Sequence, residues 1–218
     1  MHMPIVFPTG MDTPITLKGK AGIIETKTTA PESISAETAI AVVCHPHPLH
    51  GGAMDNKVVY TLTRAFHQLN LCTVRFNFRG VGKSAGTFDH ANGETEDLLQ
   101  VIAWVKTIYP HNPIWLAGFS FGSFVAARAA SSVQPQRLFS IAPAVNNADF
   151  LNLAPIHCRW DIIQGDEDEI VPPEQVYTTV KKLPATNIHL HVITGCSHFF
   201  HGKLINLREL IIALAQQQ

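Results

Sequence analysis

"IWLAGFSFGSFVAARAA", residues 114–130, decides how the rest of the chain is read. It begins as a short apolar run, 114–117, of the kind buried on both faces of a parallel sheet. It continues as an Ala-rich, helix-forming segment over 121–131. Between the two stands Gly118-Phe119-Ser120-Phe121-Gly122. A serine at so sharp a strand-to-helix turn has strained backbone angles and needs almost no side chain two positions to either side. Gly118 and Gly122 meet that need, and the turn lifts the Ser120 hydroxyl above the sheet. The helix that follows points its amino-terminal dipole at the same place, which favours developing negative charge. Ser120 is therefore the candidate nucleophile, and the motif asks for strands and helices in alternation around it.

The flanking sequence supplies them. Apolar, mostly β-branched runs recur at 40–44, 71–76, 137–141, 160–164 and 188–193, after weaker strand-like stretches at 5–7 and 22–27. Helix-period segments separate them. In 58–69, Leu62, Phe66 and Leu69 share one face. In 94–108, an acidic first turn (Glu94, Glu96, Asp97) suits the helix dipole and precedes the stripe Leu98, Ile102, Val105, Ile108. A last helix is expected over 203–215. Such alternation implies right-handed crossovers and a mostly parallel central sheet with helices on both faces, an α/β architecture whose active site lies beyond the carboxyl ends of the strands.

With 218 residues, 46% of them hydrophobic and 15% charged, the chain suits one domain spanning 1–218. A formal net charge of −1 gives no broad basic field for nucleic acid or anionic lipid, so the expected partner is a small molecule. The amino-terminal "MHMPIVFPTG" lacks the pattern of a signal peptide, and no apolar run is long enough to span a bilayer. The four scattered cysteines, with no CxxC pair, read as reduced thiols in a cytoplasmic protein. Oligomeric state is not legible.

A serine hydroxyl needs a base, and the base an orienting carboxylate. In "WDIIQGDEDEIVPPE" a strand ends in an acidic loop holding Asp166, Glu167, Asp168 and Glu169. Asp168 lies far enough along to turn back toward the site, with Asp166 and Glu169 as alternatives. In "HVITGCSHFFHG", His198 falls in the loop after the last strand, beside Phe199 and Phe200, which would anchor it. His189 and His191 alternate on the strand and read as core or surface residues, and His201 is the reserve base. The chain order Ser, Asp, His belongs to one particular hydrolase architecture.

At this point the chain resembles the α/β-hydrolase superfamily, and within it the small bacterial serine hydrolases related to dienelactone hydrolases and carboxylesterases. The resemblance runs through "CHPHPLHGG", "RFNFRGVGKSAGTFD", "GFSFG", "GDEDEIVP" and "SHFFHG" in that order. It implies Ser120 as nucleophile, Asp168 as acid and His198 as base, cleaving a carboxylic-ester-like bond through an acyl-enzyme. It implies no cofactor and no metal. A peptidase or thioesterase on the same scaffold, or a non-catalytic binding member of the fold, are the alternatives.

In this family the loop after the third strand supplies half of the oxyanion hole, usually through a His-Gly-x pattern. Here His45-Pro46-His47 occupies that place, with Pro46 in the glycine position. Pro46 and Pro48 have no N–H, so between them only His47 can donate, and the two rings hold its neighbours extended. The oxyanion hole is accordingly assigned to the backbone N–H groups of His47 and Phe121. A metal site built on His45 and His47 lacks a third ligand in any recognisable pattern. "RGVGKSAG", 79–86, imitates a phosphate-binding loop, but Asn77 stands where the pattern requires glycine and no helix pattern follows directly. Arg79 and Phe119 are the expected substrate contacts, Arg79 with a structural salt bridge as its alternative. Phe121 is expected to line the acyl pocket or to pack. Trp104 and Trp115 read as core. Only about a dozen residues, "PAVNNADFLNLAP", separate the runs at 137–141 and 160–164, too few for a helical lid.

Overall fold

A computed structural model of the chain describes residues 7–183, 185 and 187–217. It opens with the hairpin β1 (Gly10–Gly19) and β2 (Gly22–Ala30), followed by β3 (Ile40–Cys44), α1 (Lys57–Gln68), β4 (Cys72–Phe76) and α2 (Asn92–Ile108). Then come β5 (Ile114–Phe119), α3 (Phe121–Val133), β6 (Arg137–Ile141), β7 (Arg159–Gly165), α4 (Pro173–Val180), β8 (Ile188–Ile193) and α5 (Leu204–Ala215). The strands form one eight-stranded sheet in the order β1-β2-β4-β3-β5-β6-β7-β8. The pairs β1/β2 and β2/β4 are antiparallel, and the other five are parallel.

Two elements depart from the expectation. The strand β1 was not foreseen: it carries Pro14 and a register irregularity between Gly10 and Thr13, both tolerated because it is an edge strand. The helix α4 begins with Pro173 at its first turn and then places β-branched Thr178, Thr179 and Val180 in only eight residues. Of the strand expected at 5–7, residues 5 and 6 lie outside the described residues. Phe7 is buried, its ring stacked on Trp104 with centroids 5.2 Å apart.

Side chains alternate across the strands and feed two cores. Ile40, Val42 and Cys44 of β3 face one core with Leu98 and Val101 of α2 and Val125 of α3. Ala41 and Val43 face the other, with Leu62 and Phe66 of α1 and Leu207 and Ile211 of α5. This explains why β3 and β5 carry no polar side chain: each burial on either face contributes about 1.5–3 kcal/mol for a Val- or Leu-sized side chain. The acidic first turn of α2 does more than meet the dipole. Glu94 and Asp97 are buried, and Asp97 binds Arg79.

Chain order reverses at β3, since β4 lies on one side of it and β5 on the other. The crevice at that reversal, above the carboxyl ends of β3 and β5, is where an open α/β sheet binds its ligand. Segment 142–158, between β6 and β7, holds one 3-10 turn, Phe150–Asn152, and no cap helix. This is the lidless, mostly parallel architecture expected from the alternation of elements and from the short connection before β7. No described helix is long and apolar enough to cross a membrane.

Candidate active site

Ser120 joins β5 to α3 at φ 53° and ψ −117°, a left-handed backbone region that costs a non-glycine residue of the order of 1–3 kcal/mol. Its surroundings hold it there. The Ser120 N–H donates to the Ile141 carbonyl at the end of β6 (2.8 Å), and its own carbonyl accepts from the N–H and hydroxyl of Ser123. A Cβ on Gly118 would collide with the backbone of Gly122, and one on Gly122 with the carbonyls of Cys44 and His45. Both glycines are thus required by closeness of backbone, as the motif anticipates.

The Ser120 hydroxyl lies 3.1 Å from His198 Nε2. On the other side of the ring, Nδ1 lies 2.8 Å from Asp168 Oδ2. With Nδ1–H donating to the carboxylate, Nε2 is free to accept the serine proton. All three are nearly closed to solvent: Ser120 is 8% exposed, Asp168 5% and His198 2%. Residues 78 and 30 positions apart in the chain meet here. Burial, the largest single influence on Asp168, pushes its pKa up. Hydrogen bonds from His198, the Val171 N–H and Gln164 outweigh that and hold the carboxyl below its ordinary value.

The neighbouring acids have other work. Asp166 accepts the N–H of Gly195 (2.7 Å), and Glu169 accepts the N–H of His198 (3.1 Å). The Glu167 N–H donates to the Cys196 carbonyl, so the loops after β7 and β8 are stitched together. His201 is exposed, outside this arrangement. His191 pairs with buried Asp161 and His189 with Asn187, in keeping with their reading as core or surface residues.

Gln164, at the end of β7, is a residue that sequence reasoning missed. It is fully buried and its Nε2 donates to Asp168 Oδ2 at 2.9 Å. An amide directly after Ile162 and Ile163, at the end of the strand that leads into the acidic loop, was the available signal.

The histidine-rich loop divides its labour. His45 is fully buried, with Nδ1 2.6 Å from the Pro46 carbonyl and Nε2 accepting the Phe78 N–H at 3.0 Å. Both ring nitrogens are consumed by backbone, so His45 has none left for a metal. Burial pushes its pKa down to about 4, against a smaller upward pull from the Pro46 carbonyl, which keeps the ring neutral at pH 7. The ring of His47 instead lies 5.0 Å from that of Phe121, and both line the same cavity as Ser120. Among the described residues, neither the His47 N–H nor the Phe121 N–H has an acceptor.

Arg79 and Phe119 are corrected. Arg79 is clamped by Asp97 (Nε–Oδ2 3.1 Å, Nη2–Oδ1 2.9 Å) and by Glu96, and it does not line the cavity. Five donors in a planar fork favour a bidentate carboxylate partner, and α2 offers one. Phe119 is fully buried beneath the imidazole of His198, centroids 5.1 Å apart, where it supports that ring. It alternates to the opposite face of β5 from the cleft. Phe199 meets the same imidazole edge-on at 5.1 Å. In the loop that imitates a phosphate site, the Ser84 hydroxyl donates to the Asn77 carbonyl at 2.6 Å, which ties it to its own fold.

The cavity beside Ser120 measures about 640 Å³ and is walled by Phe121, Phe124, Phe88, Ala144, Ala148 and Val171. Its polar lining includes His47, His50, His90 and Arg128. Leu49, 68% exposed, stands at its rim.

The family model described as serine aminopeptidase, S33, matches residues 39–160. An α/β serine hydrolase without a lid from Xanthomonas campestris is similar over 94% of each chain, with TM-score 0.88 and 44% identity. An α/β serine hydrolase homologue from Coxiella burnetii gives TM-score 0.88 and 45% identity over 93% of this chain and 96% of its own. An uncharacterised protein of Rickettsia prowazekii is 36% identical over 182 residues, 79% of this chain and 76% of that one.

Proposed function

The chain belongs to the serine aminopeptidase S33 family of α/β serine hydrolases, and on that premise we propose that it hydrolyses carboxylic esters of small molecules through an acyl-enzyme on Ser120. The observation that carries the reading is the continuous line from Ser120 Oγ through the His198 ring to Asp168, at 3.1 and 2.8 Å.

His198 Nε2 takes the serine proton as Oγ attacks the ester carbonyl, and returns it to the departing alkoxide. Asp168 fixes the ring tautomer and stabilises the imidazolium formed in between. The N–H groups of His47 and Phe121 receive the oxyanion; losing one such donor typically costs about 10²–10³ in rate. Water activated by His198 then releases the acid. These groups need no metal and no organic cofactor. Free cysteines throughout suit a reducing, cytoplasmic setting.

The family's description raises an aminopeptidase reading, which needs an acidic group to receive the substrate's amino terminus. Among the described residues that line the cavity, Asp149 is the sole carboxylate, and it accepts the side-chain amide of Asn152 at 2.6 Å. An ester substrate fits this lining better than a terminal ammonium does.

The test is twofold. A fluorophosphonate probe should label Ser120, and Ser120→Ala should abolish both label and ester turnover. Short-chain p-nitrophenyl esters should then be cleaved faster than thioesters or aminoacyl p-nitroanilides. Label persisting on Ser120→Ala, or faster cleavage of the anilides, would overturn the proposal.

A further inference from the structure

Beyond the reacting groups, the cavity is lined by one helix in a regular way. Phe121, Phe124 and Arg128 of α3 all border it, at the i, i+3, i+7 spacing that places residues on one helix face. The stripe starts at the nucleophile: Ser120 is the residue before the helix, Phe121 and Phe124 form an apolar wall, and Arg128 follows. At 1.5 Å rise per residue, the backbone of Arg128 stands about 12 Å along the axis from that of Ser120. Helical side chains lean toward the amino terminus, so an arginine there leans back along the stripe toward the serine.

Arg75, Arg79, Arg137 and Arg159 are each held by a carboxylate. Among the described residues, Arg128 and Arg208 have neither an ion pair nor a hydrogen bond, and of the two it is Arg128 that lines the cavity. Arg128 is exposed. The same wall carries three imidazoles, with the His47 and His50 rings stacked at 4.4 Å. His47 feels both His50 and His90, which add to burial in pushing its pKa down. Against these donors stands Asp149, whose two oxygens cap the 3-10 turn at Asn152.

We propose that the substrate carries an anionic group, a carboxylate above all, separated from the scissile ester by an apolar segment that lies along Phe121 and Phe124, and that Arg128 binds this anion. The inference rests on the ester-hydrolase reading and adds to it a substrate class and the residue that selects it. An arginine-to-carboxylate contact at the edge of an apolar groove is charge-assisted, and a bond of that kind contributes about tenfold or more in affinity.

The test compares matched substrates. On the acyl side these are the p-nitrophenyl hemiester of suberic acid and its neutral analogue with a terminal amide. On the alcohol side they are the acetate ester of 6-hydroxyhexanoate and of its amide. In at least one pair the anion should be preferred about tenfold in kcat/KM, through KM, and the pair that shows it locates the anion on the acyl or alcohol portion. Arg128→Gln should bring that ratio close to one, and Arg128→Lys should restore part of it. Titration with free suberate against 1,8-octanediol, in wild type and Arg128→Gln, reads the same site without turnover. Neutral esters cleaved with no preference for the anion in either pair would overturn the inference while leaving the ester reading intact. If no ester is cleaved, the ester reading fails, and the suberate titration alone decides for or against the anion site.

Discussion

His45 and Gln164 show how buried polar side chains hold a reacting centre without touching substrate. His45 is neutral in the fold, with a pKa near 4 against 6.5 for an ordinary histidine. Between those values the unfolded chain binds a proton that the native one does not, so stability rises with pH across this window and falls as the solution is acidified. From pH 6.5 to 5 that linkage amounts to about 2 kcal/mol. Urea denaturation as a function of pH should therefore show a steeper acid loss in the wild type than in His45→Gln, and equal slopes would refute the assignment. Gln164→Leu removes the donor to Asp168, and with it an acceptor, Oε1, that is already buried without a partner. Its kcat should fall about tenfold, the worth of one hydrogen bond to a charged group, with little change in KM. A kcat within twofold of wild type would make Gln164 a packing residue only.

At the level of elements, the turn between β5 and α3 is a steric device, and two glycines separate its causes. Gly122 must be glycine because a Cβ would strike backbone, whereas Gly51, with φ 76°, has open space where a Cβ would go. Gly122→Ala should cost on the order of 3 kcal/mol and abolish probe labelling of Ser120, while Gly51→Ala should cost about 1 kcal/mol. Equal effects in denaturant titrations would show that conformation and not contact sets both positions. The same elements mark how far the sequence could be read. Strand β3 was visible to the residue because both faces are buried and every position is apolar, while β6 and β8 kept enough apolar, β-forming residues between their polar ones to mark the same bounds. The edge strand β1 was not, because one-sided burial and Pro14 erase that signature. The eight-residue α4 was hidden by its β-branched composition, although Pro173 before a polar residue was a usable start signal. That Ser120, Asp168 and His198 stand on loops at strand ends was readable from the apolar runs before them. The role of Arg79 was not, since whether an arginine meets a ligand or a helix depends on what α2 places opposite it. Phe119 was misplaced by one step of strand alternation.

For the whole molecule, folding hides its sulfur. Cys44, Cys72 and Cys196 are buried and Cys158 is half-buried, and none is bonded to another. Burial pushes the thiol of Cys44 far up, that of Cys72 to about 12, and those of Cys158 and Cys196 to about 11. Since the thiolate is the reactive form, a disulfide reagent at pH 7.5 should modify the native protein slowly and leave ester turnover intact, and should titrate all four thiols in denaturant. Rapid modification with loss of activity would show that the fold opens near Cys196, next to the base-bearing loop.

The stitching of the β7 and β8 loops divides the centre into two independently anchored blocks. Asp168 and His198 ride together on one, through Asp166, Glu167 and Glu169, and Ser120 sits on the other, tied to β6. Segment 142–158 joins β6 to β7, is held by the Ala142 N–H on the Ile163 carbonyl and by the Asn146 amide on the Ile170 carbonyl, and supplies Ala144, Asn147, Ala148 and Asp149 to the cavity wall. Lengthening a loop costs only about 0.6 kcal/mol per doubling in closure entropy. The protein is thus modular: its appetite can be re-cut at one peripheral connection by insertion or grafting, while the bond-breaking apparatus stays as it is.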